Sequence, residues 1–510
     1  MIWFLVFCVF ACYVIVRLVQ RYVEVSRQLL FIEKIPGPPM KSKILGHVEE
    51  TICPPADMPA MAYARFKEYG SIFRLWIGGL PIVLISEGKF AEVLFTSKCT
   101  EIKNEFYRFL HVWLGLGLLT SRGQLWQQRR KLITPAFHFS ILSDFCEVFI
   151  SNTLTLIDQL RQNQDGALVN VMTQMKLIAL DNICETAMGI KIDALKNPNH
   201  NYIRAVEDTS TMLMTRMTKP WLWNEVLFFL SPTGRKHWLD LSTIFELTDM
   251  AIKNRRRMRD DKENHLRRES EEFEGSHKMA FLDLLLEACE KNSVSLSDED
   301  LRDEVNTFMF EGHDTTTSAL AFTVWLLGLH PECQEKCYEE LYSIFQDSDR
   351  RPNMDDLSSM KYLEQCIKEG LRLFPSVPQL SREVPCDIPM GDYTLPAGTK
   401  FILSVFGLHR DPKYFPDPEK FDPERFTPEN SKGRHPYAYA PFAAGARNCI
   451  GQKFAMMEMK IVISYLIRNF SFKSSYDQSE LYVVFALILR SAKNLEMTFT
   501  PRRKHQNSLS

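Results

Sequence analysis

From Ile2 to Val16 the chain reads IWFLVFCVFACYVIV, an apolar run without one charged position. Carried through Arg17 to Val19 it counts 18 residues. At about 1.5 Å per residue that is roughly 27 Å, close to the hydrocarbon thickness of a bilayer. No basic residue precedes Ile2 and no small-residue cleavage site follows, so the run predicts an uncleaved membrane anchor over residues 1–20, not a secretory leader. Arg17, Arg21, Arg27 and Lys34 come after it, and that excess of positive charge predicts a body on the cytosolic side. A basic, proline-rich linker over residues 21–40 ends in KIPGPP, whose prolines fix φ and lack an N–H donor.

Beyond the linker the period of the apolar positions changes. Short strand-like runs lie near Ile72–Trp76 and Pro81–Ser86. After them helical spacing dominates. Ser297, with Asp300 three residues on, predicts an N-cap, and the pattern then runs to about His330 and stops before Pro331. A second helix is predicted from about Met360 to Phe374, ahead of Pro375. The spacing of Ile450, Phe454, Met457, Ile461 and Ile463 predicts a third, buried helix. LYVVFALIL near the C-terminus reads as a strand or a buried apolar run. Arg255–Glu274 is dense in charges of both signs and reads as solvated surface. No internal repeat or low-complexity linker divides residues 41–500, which are expected to form one catalytic domain followed by a polar tail, 501–510.

Composition narrows the function classes. A net charge of −2 implies no general attraction to nucleic acid. The 12 cysteines are scattered, without zinc spacing; Cys333 and Cys337 are four apart, not a C-x-x-C pair. Most, including Cys146, Cys184, Cys289 and Cys366, are expected to be small buried hydrophobes in a reducing compartment. Gly78–Gly79 is no dinucleotide fingerprint, so electrons for any redox chemistry must come from another protein.

One cysteine is framed differently. In YAPFAAGARNCIGQKF, Cys449 stands between Gly445 and Gly451, with Arg447 two residues before it and Phe442 upstream. A metal-bound thiolate needs shielding and backbone N–H groups aimed at its sulfur. Gly445 allows the φ values of such a loop, and Gly451 leaves space for a flat cofactor. FAAGARNCIG matches F-x-x-G-x-R-x-C-x-G, and the chain thereby resembles the cytochrome P450 monooxygenases from about Pro36 to Phe499. The resemblance implies a mainly α fold with a small β-rich lobe, haem b, and Cys449 as the axial thiolate. It implies that Glu369 and Arg372 of EGLR and Arg425 of PERF form a buried ion network around the loop, structural in role. Trp126 and Arg130 of WQQRR, with Arg382 of SREV, are implied partners of the haem propionates, and Arg447 offers a cation to the same edge. His409 is a weaker candidate for haem contact.

FEGHDTTTSA places acidic, glycine and threonine residues in mid-helix, against helix propensity. By the resemblance, Asp314 and Thr315 are the acid–alcohol pair that delivers protons to activated dioxygen, and Gly312 leaves room for oxygen. Glu311 departs from the wider family and looks like family 4, the fatty-acid ω-hydroxylases, in many of which this glutamate is esterified to a haem methyl. An uncrosslinked, protonated glutamate is the alternative. Glu105–Thr120 is expected to roof the substrate space, with walls from Ser376–Leu380 and Val483–Leu487, and Met212, Met214 and Met217 either lining it or packing as core.

The expected enzyme sits in the endoplasmic-reticulum membrane on a single-pass anchor, its catalytic domain facing the cytosol. It takes electrons from NADPH-cytochrome P450 reductase, docked on the cysteine side near Lys453, with cytochrome b5 as a second possible donor. Its substrate is a lipophilic small molecule. The rivals are a steroid or xenobiotic monooxygenase, a lipid-peroxide isomerase, which would need no Asp314–Thr315 relay, and a non-catalytic haem-binding protein.

Overall fold

The computed structural model describes residues 12–13, 15–17, 19–20, 23, 26–40, 42, 45–51, 56–77, 80–164, 166–266, 281–290 and 296–502. The apolar run predicted as an anchor lies largely outside them, as does the tail beyond Arg502. Among the described residues no single helix is long and apolar enough to cross a membrane.

The fold is mainly helical. Its principal helices are α1 (Met58–Tyr69), α2 (Gly123–Ile133), α3 (Phe139–Arg161), α4 (Val171–Ile183), α5 (Asn201–Thr218), α6 (Pro232–Leu266), α7 (Asp298–Leu329), α8 (Lys361–Leu373) and α9 (Gln452–Asn469). The axis is α7. Ser297 and Asp300 close a reciprocal capping box, and Asp298, Glu299 and Asp300 put negative charge on the positive helix end. The helix ends at Leu329, two residues before Pro331. Its 32 residues span roughly 48 Å. It stays α-helical through EGHDTTTS, where buried packing outweighs propensity and the threonine hydroxyls are satisfied within the helix, Thr315 by the Glu311 carbonyl at 2.6 Å and Thr317 by the His313 carbonyl at 2.8 Å.

Helices α4, α8 and α9 pack around α7. Gly312 packs close against α4: a Cβ there would lie 2.5 Å from Ile183 Cδ1. The missing side chain thus admits Ile183 of α4, at a point where both residues also border the cavity.

The strands make a small lobe and three lesser pairings. β1 (Ile72–Ile77) and β2 (Leu80–Ile85) form an antiparallel hairpin, with Ile72 opposite Ile85. β7 (Lys400–Ser404) runs parallel to β2, and β4 (Gln379–Glu383) closes the sheet antiparallel to β7, with Arg382 opposite Phe401. Alternation along β4 turns Leu380 and Arg382 to the buried face. β3 (Val169–Asn170), β8 (Phe470–Ser474) and β11 (Glu496–Pro501) form one sheet, β5 (Ile388–Met390) and β6 (Tyr393–Leu395) a hairpin, and β9 (Val483–Phe485) and β10 (Leu489–Ser491) another.

Two long-range ties hold irregular stretches on either side of β7, the ion network the one after it and a disulfide the one between β4 and β5. The first is the ion network implied by the motifs. Arg372 donates Nε and Nη2 to the two oxygens of Glu369 at 2.7 and 2.8 Å, and Arg425 reaches Glu369 at 3.4 Å. Arg372 also holds the carbonyls of His409, Pro418 and Lys420. The second tie corrects the expectation of free thiols: Cys99 and Cys386 form a disulfide across 287 positions. Spacing cannot pair cysteines that far apart. Cys146, Cys184 and Cys366 are buried and free as expected, and Cys289 is half-buried.

Removing one partner of a buried pair strands the other charge. Arg372→Ala is therefore expected to cost about 3–5 kcal/mol, read as a lower denaturant midpoint. A midpoint within error of the parent would show that the network carries no stability.

Candidate active site around Cys449

The loop before α9 is held by short local bonds. The Cys449 N–H donates to the Phe442 carbonyl at 2.9 Å, and the Asn448 N–H to Gly445 at 3.1 Å. Gly445 adopts φ +69°, and a Cβ there would fall 1.9 Å from the Phe95 carbonyl oxygen. Glycine is required on both counts. From α2, Arg130 grips Asn448 twice, at its carbonyl (2.8 Å) and its Oδ1 (2.7 Å).

The loop forms one wall of a cavity of about 460 Å³, within the usual range for small-molecule sites. Cys449 is deep among protein atoms, and its accessible surface faces this cavity. Burial pushes its thiol up to about 11; the Gly451 N–H bonded to the sulfur pulls the other way, Glu311 adds to the rise, and Arg130 opposes it. A Cβ on Gly451 would meet only Cys449 Sγ and Phe137, both at 4.0 Å, so a side chain there would fill cavity and displace no protein.

Opposite the loop, α7 contributes Glu311, Gly312, Thr315 and Thr316 to the cavity. Burial raises the Glu311 carboxyl to about 7, with Lys103 lowering it and Asp314 raising it. Asp314 is not part of the lining. Its buried carboxylate accepts from Arg490 Nη2 at 2.7 Å, turned to the C-terminal hairpin. Thr315 and Asp314, adjacent in sequence, thus face different surroundings.

Positive charge gathers at one end of the cavity. Arg447 donates to the Ser121 carbonyl at 2.8 Å and lies 4.0 Å above the Trp126 ring, leaving Nε and Nη1 buried without a partner. Arg382 donates to the Ser381 carbonyl at 2.9 Å. Lys103 donates to the Tyr107 hydroxyl at 3.3 Å, and its amine is pushed well down by burial, then by Arg382 and Arg447. Among the described residues, none of Lys103, Arg382 and Arg447 forms an ion pair with a carboxylate. Three cations facing one another, Lys103 and Arg382 buried and Arg447 half-buried, are costly, and the arrangement fits an anionic group placed between them. Lys103 escaped the sequence reading because one lysine in EIKNEFYRFL carries no motif; only its burial against Arg382 and Arg447 marks it.

Other expected positions are sorted by the structure. Trp126, Arg130, Phe442, Met214 and Met217 line the cavity, whereas Met212 packs away from it. His409 also lies outside the lining. It accepts the Ala440 N–H at 2.9 Å and stacks on Tyr439, so it braces the loop from behind. The Val483–Leu487 wall is supplied by its second half, Phe485 to Leu487, together with Ile488.

The cysteine loop over the cavity and the cations without a carboxylate partner fit a thiolate-held cofactor with an anionic edge. The sequence model of the family described as Cytochrome P450 matches residues 36–499, and the chain belongs to that family. It is 42% identical to Cytochrome P450 4V2 of Mus musculus over 437 residues, covering 86% of this chain and 83% of the relative. Against Cytochrome P450 4c3 of Drosophila melanogaster identity is 40% over 488 residues, covering 94% and 91%. Against Cytochrome P450 4V2 of Homo sapiens it is 39% over 486 residues, covering 94% and 92%. The protein is a cytochrome P450 monooxygenase of the family-4 type, and that membership implies haem iron, dioxygen, a redox partner and a lipophilic substrate.

The two loop glycines separate folding from cofactor binding. Gly445→Ala forces a side chain into the left-handed region, at a cost of about 1–2 kcal/mol before the overlap with Phe95 is counted; it should lower the unfolding midpoint. Gly451→Ala should leave the midpoint of the haem-free chain unchanged and reduce haem bound per chain. Full haem loading of Gly451→Ala would contradict the placement of the cofactor beside the sulfur.

Proposed function

We propose that this enzyme inserts one oxygen atom at the terminal carbon of a long-chain fatty acid or related lipid, using electrons passed from NADPH by NADPH-cytochrome P450 reductase. The observation that carries the reading is Glu311, a carboxyl inside the cavity wall one helical turn before Thr315. A buried carboxyl among apolar side chains is costly, and an ester to the cofactor would remove its charge. The same link would stiffen the cofactor and narrow access to the iron, favouring a chain terminus over the weaker C–H bonds beside it.

When bound, the haem supplies dioxygen activation and oxidation of the C–H bond. The chain's residues do the rest. Cys449 would hold the iron as thiolate, having given its proton to solvent. Lys103, Arg382 and Arg447 would hold the propionates, with Trp126 beneath Arg447 and Arg130 fixing the loop through Asn448. Thr315 turns its hydroxyl from the Glu311 carbonyl into the cavity and passes protons that Asp314 regains from water. The apolar walls from Phe106, Leu110, Met214, Met217 and Phe485 accept the hydrocarbon tail and exclude water.

A membrane anchor over residues 1–20, an endoplasmic-reticulum location and reductase docking near the exposed Lys453 complete the proposal. Cytochrome b5 is a second donor for the same face.

The test is turnover with reductase, NADPH and fatty acids of graded length, the hydroxyl position being read by mass spectrometry. A terminal alcohol is expected, absent in Cys449→Ala. A normal thiolate-type carbonyl spectrum with no fatty-acid product would overturn the substrate assignment and favour steroids or xenobiotics. The ester is read separately: acid–organic solvent should extract haem from Glu311→Ala and not from the parent. Complete extraction from the parent disproves the link.

A further inference from the structure

Three sulfur side chains meet beside α9, about two turns beyond the cysteine loop. Cys146 Sγ of α3 lies 3.4 Å from Met457 Sδ of α9. It lies 3.5 Å from the Sδ of Met354, the first residue of the short helix Met354–Ser359. Cys146 and Met457 are buried and Met354 is half-buried, so one sulfur stands at the surface and two are shielded.

The three elements are tied to one another in pairs. Phe149, one turn from Cys146, packs edge-on against Phe454, one turn from Met457, with ring centres 5.0 Å apart. Arg351 pairs with Glu147, the neighbour of Cys146. Lys460 of α9 donates to the Leu357 carbonyl of the short helix at 2.8 Å. A capping box between Asn353 and Asp356 fixes the start of that helix, and Arg350 holds Asp356 at 2.6 and 2.8 Å. None of these contacts uses a sulfur atom. The frame therefore presents the three sulfurs to one point, as a supporting shell presents ligands to a metal.

The donor set is selective. One thiol and two thioethers are soft ligands, and soft ligands select Cu(I). Among the described residues no group of three His, Cys, Asp or Glu side chains is placed to hold a metal ion, so the harder divalent ions find no comparable set there. One thiolate and Cu(I) sum to zero charge, whereas a divalent ion would leave a net charge in a shielded place. Metal–sulfur bonds of about 2.3 Å in a trigonal plane set the sulfurs about 4.0 Å apart. The contacts need to widen by only roughly 0.5 Å, which unbranched methionine side chains allow by rotation.

We propose that Cys146, Met354 and Met457 form a binding site for one Cu(I) ion. Burial, with Glu147 and Asp144 adding to it, pushes the free Cys146 thiol up to about 11, so the thiol keeps its proton at neutral pH until the metal arrives. Binding forms three Cu–S bonds and releases that one proton to solvent; no electron is transferred. Met354, at the surface, gives the ion its way in. The loaded site clamps α3 to α9, whose first residue is three positions after Cys449.

The test uses the haem-loaded full chain without oxygen, titrated with Cu(I) held by a chelator of known affinity, and with Ag(I) as a redox-inert second probe. The parent should take one tightly held Cu(I) per chain. Cys146→Ser and Met457→Leu should lose it, and Met354→Leu should hold it about tenfold more weakly or worse. X-ray absorption of the loaded parent should show three sulfur neighbours at about 2.3 Å and no nitrogen or oxygen. Ag(I) should raise the unfolding midpoint of the parent and not of Cys146→Ser. Cys12→Ser, which removes an exposed thiol, should match the parent. No Cu(I) taken by the parent, or an equivalent that survives in Cys146→Ser, overturns the proposal and leaves the sulfurs as core packing alone. Loss in Cys146→Ser with parental affinity in both methionine variants overturns the three-sulfur site. Should Met457→Leu fail to fold, Met354→Leu at its half-buried position decides.

Discussion

All five N–H donors of Arg372 are bonded, two of them to Glu369 and three to carbonyls of His409, Pro418 and Lys420. This saturated guanidinium fixes an irregular stretch that has no ladder of its own. His409, whose carbonyl it holds, turns its ring to the Ala440 N–H at the entrance of the cysteine loop. The Cys449 sulfur thus inherits its position from an arginine on another helix. A loop that must present one atom to a cavity cannot rely on propensity, and a buried, fully bonded charge pair supplies the specificity that propensity lacks.

The same economy of position governs the cavity's electrostatics. Lys103, Arg382 and Arg447 come from three separate segments and meet without an ion pair to a carboxylate among the described residues. Glu311 sits within their field, its carboxyl near 7 because burial outweighs the pull of Lys103. A cavity that places unpaired cations at one end and apolar side chains along its walls discriminates by region: an anionic cofactor edge has one place to go, and a hydrocarbon tail another.

The central helix serves both regions because its two faces do different things. Thr315 turns to the cavity while Asp314, one residue earlier, is held by Arg490 from the C-terminal hairpin. Adjacent helix positions point about 100° apart, so a relay between them needs a side-chain rotation, a water or a shift of the partner that holds the acid.

Local chemistry was readable from the chain alone. Ser297 and Pro331 bound the central helix, the EGLR residues pair within one helical turn, and the frame of Gly445, Arg447 and Cys449 marks the loop, because these signals act over three to ten positions and depend on φ, capping and helical spacing. Tertiary structure alone decided which way Asp314 faces, that Gly312 admits Ile183, that Lys103 joins the cation cluster and that Cys99 meets Cys386. Arg490 is 176 positions from Asp314, and no periodicity reaches that far. Such pairings are set by how helices and strands pack, through shape and burial summed over the whole core, and no segment of the sequence carries them by itself.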